Sequence, residues 1–94
     1  MSGKLYLDGY LVVPPERIAA VTQALPAHIA LTRAEPGCLA FEVTPSPDNP
    51  GHFLVSEIFA DRAAFDAHQA RATASAWADV TAGLSRHYTI RTET

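Results

Sequence analysis

Four histidines, one cysteine and two carboxylates set among apolar residues are where this chain could do chemistry. His68 follows Phe65 by three residues and Ala64 by four, which places it on the apolar face of a helix. Two readings of it stand. It is either a satisfied, half-buried core histidine or an imidazole aimed into the space between helix and sheet, available as a general base or a ligand. Glu57 is the one acid in an apolar strand, on the face of Phe53, Val55 and Phe59. A lone buried carboxylate is costly unless it is hydrogen-bonded, paired or protonated, so either an Arg or Tyr partner or a catalytic role is implied. Asp8 poses the same question in the first strand, where Gly9 beside it leaves room or marks a bulge.

Trp77 follows His68 by nine residues, half a turn out of phase on an unbroken helix. Both line one pocket only if the helix breaks between residues 69 and 76; otherwise Trp77 packs in the core. Ala72-Thr73-Ala74-Ser75-Ala76 is suited to such a break, because Thr and Ser hydroxyls compete for backbone groups. The candidate set is therefore His68 and Glu57 for catalysis, with Asp8, Trp77 and Phe65 as substrate contacts. His28 and His87 have no acidic or nucleophilic neighbour at useful spacing and are assigned structural or surface roles. His52 abuts a turn and is expected to be exposed. Cys38 lacks an activating base nearby and is expected to pack as a small hydrophobe. No Gly-rich phosphate loop, nucleophile elbow or metal-spaced cluster is present, so nucleotide, dinucleotide and metal-hydrolase functions find no support, and no metal ligands are assigned.

The elements that must position these residues follow from periodicity. Leu5 to Val13 reads as a strand, ended by Pro14-Pro15. Ile18, Val21, Leu25 and Ile29 recur at spacings of three and four, predicting a helix to about Ala34, with Pro26 causing a kink or break near Leu25, stopped by Glu35-Pro36-Gly37. Cys38 to Thr44 is a second strand, with Leu39, Phe41 and Val43 on one face. The proline-rich stretch Pro45 to Gly51 is a turn, and His52 to Ala60 a third strand hairpinned to the second. Asp61 is the N-cap of a helix from Arg62 that continues, interrupted or not between residues 69 and 76, to about Leu84. His87 to Thr92 closes the chain as a fourth strand.

The order strand–helix–strand–strand–helix–strand is the ferredoxin-like split βαβ pattern, α+β with both helices on one face of an antiparallel sheet. Both parities of the strands carry apolar side chains: Leu5, Leu7 and Leu11 against Tyr6, Tyr10 and Val12, and Phe53, Val55 and Phe59 against Leu54 and Ile58. A single copy leaves the second face bare, so a homodimer packed sheet to sheet is expected.

Ninety-four residues suffice for one domain, spanning 1–94, and the 48% hydrophobic content excludes a disordered chain. Seven basic against ten acidic residues give a net charge of −3 with no basic stripe, which argues against nucleic acid as a partner. No apolar run approaches the ~20 residues that cross a bilayer, and the N-terminus lacks the apolar stretch of a signal peptide. No membrane association and a cytoplasmic location are the expectations.

Three stretches carry a resemblance: Glu35 to Val43 (EPGCLAFEV), Phe53 to Asp61 (FLVSEIFAD) and Ala64 to His68 (AFDAH). Together they resemble the antibiotic biosynthesis monooxygenase domain family over nearly the whole chain. The resemblance implies a dimeric α+β barrel built from the ferredoxin-like unit. It also implies a cofactor-independent monooxygenase taking dioxygen and a small aromatic, quinol or polyketide-like substrate. The family's recurrent helix histidine matches His68 and its third-strand acid matches Glu57. Its second histidine reads Thr73 here, and the first-strand asparagine of its oxygenase and haem-degrading members falls at Asp8-Gly9. Non-catalytic ligand binding, haem degradation and isomerisation of a small metabolite are the alternatives the resemblance leaves.

Overall fold

The computed structural model describes residues 3–93 and has four strands and three helices: β1 (Leu5–Val12), α1 (Ile18–Arg33), β2 (Cys38–Pro45), β3 (His52–Phe59), α2 (Arg62–Thr73), α3 (Ala76–Val80) and β4 (Ser85–Thr92). A single 3-10 turn, Pro15–Arg17, leads into α1, with Pro15 at its first position, where no N–H is required. The strands form one antiparallel sheet in the order β2-β3-β1-β4, with the helices on one face. This is the expected ferredoxin-like α+β arrangement.

The core is the alternate residues of the strands against the apolar stripe of the helices. Leu5, Leu7 and Leu11 of β1, with Val13 just beyond it, meet Phe41 and Val43 of β2 and Phe53, Val55 and Phe59 of β3, beneath Val21 and Leu25 of α1 and Phe65 of α2. Burying each of these side chains contributes roughly 1.5–3 kcal/mol. Asp61 caps α2 as expected, its carboxylate accepting from the Ala64 amide at 2.8 Å. Pro26 neither ends nor breaks α1. Its missing N–H removes one backbone bond, while Val21 and Leu25 on one side and His28 and Thr32 on the other anchor the helix by burial.

Three expectations are corrected. Leu39 is not on the core face but 53% exposed, because β2 carries a bulge between Cys38 and Ala40; Cys38 takes the inward position opposite Phe59. The helix after Asp61 does not reach Leu84. It stops at Thr73, restarts at Ala76 and ends at Val80, where Arg17 donates to the free carbonyls of Val80 and Ala82. The fourth strand begins at Ser85 rather than His87.

Two glycines permit close approaches that shape the helix–sheet layer. Gly9 has φ +155°, and a Cβ there would lie 1.9 Å from the His87 carbonyl, so the close approach of β4 at this position requires a glycine. Gly37, at φ +87°, turns the chain out of α1, and a Cβ there would come within 2.6 Å of the Ala64 methyl. That close approach sets the turn holding Glu35 against α2.

Candidate functional site

A cleft of about 380 Å³ opens between the helices and the β1–β4 half of the sheet. Leu7, Glu57, Arg86 and Tyr88 form its floor, and His28, His68, Ala72, Thr73, Trp77 and Thr81 are among its walls. At the small end of the usual range for ligand sites, it suits a molecule of one or two rings.

Trp77 and His68 share this cleft because the helix breaks where required. The Thr73 hydroxyl donates to the Ala70 carbonyl at 3.0 Å, and the Ser75 hydroxyl to the Ala72 carbonyl at 2.6 Å. The backbone amides of Ala74 and Ser75 reach back only three residues, to Arg71 and Ala72. The tightened turn unwinds α2 and redirects the chain into α3.

His68 is 4% exposed and lies over Phe59 and Phe41, with ring centroids 5.1 and 5.7 Å away. Its Nδ1 donates to the Glu35 carboxylate, 3.0 Å from Oε1. That bond fixes the proton on Nδ1 and leaves the lone pair on Nε2. Glu35 is held in turn by the Arg71 guanidinium, whose Nε donates to Oε2 and whose other arm reaches the Thr32 hydroxyl at 2.9 Å. Burial lowers the His68 pKa and the neighbouring Glu35 opposes that shift, so the ring is neutral at rest while its charged form retains a carboxylate partner.

His28 is equally buried but differently placed. Its ring stacks flat on Trp77, centroids 4.6 Å apart at 5°, and lies 6.0 Å from His68. Burial, with the nearby His68 and Arg71, pushes its pKa down to about 4, and its Nδ1 has no partner among the described residues. Glu57 enters the floor from β3, flanked across the ladder by Leu7 and Phe41. Its Oε1 is likewise unpartnered, and burial, reinforced by repulsion from Glu35 and Asp8, raises its pKa to about 7. Among the described residues no Arg or Tyr partner is there: Arg86 is committed to Thr81 and to the Leu84 carbonyl.

Of the five candidate residues, the cleft brings together His68, Glu57 and Trp77. Asp8 is corrected: it is exposed on the opposite face of the sheet, because side chains alternate along β1 and Leu7 takes the inward position. Phe65 is corrected too. It packs edge-on against Phe59 in the core, 5.7 Å between ring centroids, and does not line the cleft. His28, expected to be structural or at the surface, is a wall residue. Its signal lay in the spacing Val21, Leu25, His28, Thr32, which is the buried stripe of α1. Glu35, noted as part of a helix stop and of the EPGCLAFEV stretch, was assigned no role in the site. Among the described residues no three of His, Cys, Asp and Glu are grouped so as to hold a metal ion.

The outer sheet face is partly apolar, as expected. Tyr10 is stacked between His52 and His87, 4.7 Å from each, and the Arg91 guanidinium lies 4.0 Å over the Tyr6 ring. Leu54 is 43% exposed there. Among the described residues no helix is long and apolar enough to cross a membrane.

Comparison with known proteins agrees with the fold. The family model for antibiotic biosynthesis monooxygenases matches residues 5–80. A solved structure from Nitrosomonas europaea, named for that family, superposes with a TM-score of 0.80 at 22% identity, covering 99% of this chain and 92% of the other. Another so named, from Caulobacter crescentus CB15, gives 0.78 at 24% identity with the same coverage. The MupZ protein of Pseudomonas fluorescens gives 0.79 at 19% identity, over 98% of this chain and 70% of its own. At these identities the likeness establishes the fold. No curated protein matches the sequence significantly.

Proposed function

The chain belongs to the antibiotic biosynthesis monooxygenase family, and on that footing we propose that it oxygenates a small phenolic, quinol or polyketide-like molecule without a metal or flavin. The observation that carries this reading is the oriented, neutral His68 on the wall of a cleft floored by the inner face of the sheet. A base needs a lone pair facing substrate and a partner for the proton it gains; Nε2 and Glu35 supply the two. His68 takes a proton from the bound substrate. The resulting anion is electron-rich enough to reduce dioxygen directly. One oxygen atom is retained on carbon and the other leaves as water, with the substrate supplying all the electrons. Trp77 and Leu7 shield the anion from bulk water, and Glu57 and Tyr88 orient it.

The assembly belongs to the same reading. A second copy covers the outer sheet face carrying Tyr6, Tyr10, Val12, Leu54 and Ile58, with an interface above about 1,000 Å². Sedimentation at micromolar concentration should give a dimer; a monomer removes that part of the proposal.

Oxygen uptake with a panel of dihydroxyaromatics tests the chemistry. Wild-type protein should consume oxygen with the quinol, and His68→Ala should lose most of that turnover while still folding. No uptake by wild type, or full uptake by a folded His68→Ala, overturns the reading.

A further inference from the structure

Glu57 is a buried carboxyl that the oxygenation scheme uses only to orient. It is 7% exposed, its Oε1 has no partner among the described residues, and its neighbours on the sheet face are Leu7, Phe41 and Phe59. Arg86, which shares the cleft floor, is committed to Thr81. An unpaired carboxylate in such a place is heavily penalised, and the group answers by holding its proton to about pH 7. His68 lies directly above the same patch, over Phe41 and Phe59, with Nδ1 tied down and Nε2 open. One side of the cleft thus presents a proton acceptor and its floor a proton donor. Two titratable groups driven in opposite directions by their surroundings are the mark of an acid and a base working together.

We infer that Glu57 and His68 form an acid–base pair that enolises a bound ketone. His68 Nε2 removes a proton from the carbon beside the carbonyl as the C–H bond breaks. Its electron pair forms the new C=C bond, and the carbonyl oxygen takes the carboxyl proton of Glu57. The enol is left between a Glu57 carboxylate and an imidazolium that remains against Glu35. No electron leaves the substrate and no dioxygen is consumed, so the step is complete in itself. It rests on the proposed role of His68 as base and deepens it. The substrate class is narrowed to small ketones with an acidic neighbouring C–H, of the one- or two-ring size the cleft admits.

The step is read as hydrogen–deuterium exchange under nitrogen, followed by proton NMR on 2-tetralone and 2-indanone in D₂O. Wild type should exchange the α-protons well above the buffer rate. Glu57→Gln keeps the shape but has no proton to give, and should lose about 10²–10⁴ of the catalysed rate, as should His68→Gln. Glu57→Leu, an apolar filler for the same site, guards against a glutamine that does not fold, and should lose the rate equally. Wild type near pH 6 should also show the infrared carbonyl band of a protonated carboxylic acid that the Glu57 variants lack. No exchange with either ketone, unimpaired exchange in a folded Glu57 variant, or a missing band overturns the inference. Exchange without quinol-dependent oxygen uptake sinks the oxygenation reading alone; uptake without exchange sinks this one alone.

Discussion

His28 and His68 stand 6.0 Å apart, both nearly sealed from solvent, yet their surroundings make them different chemical objects. His68 has a carboxylate at Nδ1, itself gripped by an arginine, so its charged form is provided for. His28 has an indole face and an orphan nitrogen, and burial holds its pKa down at about 4. Equal burial therefore says little about function; the partner of the second ring nitrogen decides which histidine can take a proton.

The largest expected effect separates the two directly. His68→Ala should lower quinol-dependent turnover by about 10²–10⁴, the usual worth of a general base. His28→Phe, which keeps a flat ring against Trp77, should cost less than about tenfold, because the ring walls the cleft without accepting the proton. Similar losses in steady-state kinetics would erase the distinction between the two rings.

Next in size is Glu35→Gln, which keeps the shape but weakens the hold on His68 and leaves its imidazolium unpaired. Loss of orientation of this kind is worth up to about 10²-fold. The loss should appear in kcat with KM little changed, and the acidic limb of the pH–rate profile should move down in pH, because the charged ring loses its carboxylate. A change in KM alone would make Glu35 a structural residue.

The unpartnered groups should be visible in stability. Between about pH 4.5 and 7 the unfolded chain releases the Glu57 proton that the folded chain retains, so this group makes stability fall as pH rises. Between about pH 4 and 6.5 the unfolded chain binds a proton that folded His28 refuses, so stability rises with pH there, and the lowered His68 pKa adds to the rise. The slopes oppose each other where they overlap. Denaturant titrations of Glu57→Gln should expose a rising slope, up to about 1.4 kcal/mol per pH unit for each histidine that takes up a proton on unfolding, and those of His28→Phe a slope shifted downward. Identical pH profiles in all three proteins would mean that neither group titrates as placed.

The smallest effect is Asp8→Asn. On the far side of the sheet from the cleft, it should leave turnover at the wild-type level. A clear loss of turnover would show that the outer face reaches the chemistry.

Element order, strand parity and the Asp61 cap were legible in the sequence because each depends on neighbours a few residues away. Period two separated Phe53, Val55, Glu57 and Phe59 from Leu54 and Ile58, and the Thr73–Ser75 stretch announced a break through its own hydroxyls. The parity that placed Glu57 inward also puts Leu7 inward and Asp8 outward, but opposition to Glu57 in the register belongs to Leu7, and only the assembled sheet shows that. Leu39 went astray because a bulge moves one residue out of step without any mark in composition.

The sequence by itself determined that one helix would present His68 and one strand Glu57 towards a common apolar layer. What each could do there was decided by tertiary structure. Glu35 is 33 residues from His68 and 36 from Arg71 along the chain, and is brought to both by the turn at Gly37 and its close approach to Ala64. Proton affinity depends on desolvation and on charges within a few ångströms, and neither is defined until helices and sheet have closed over the group.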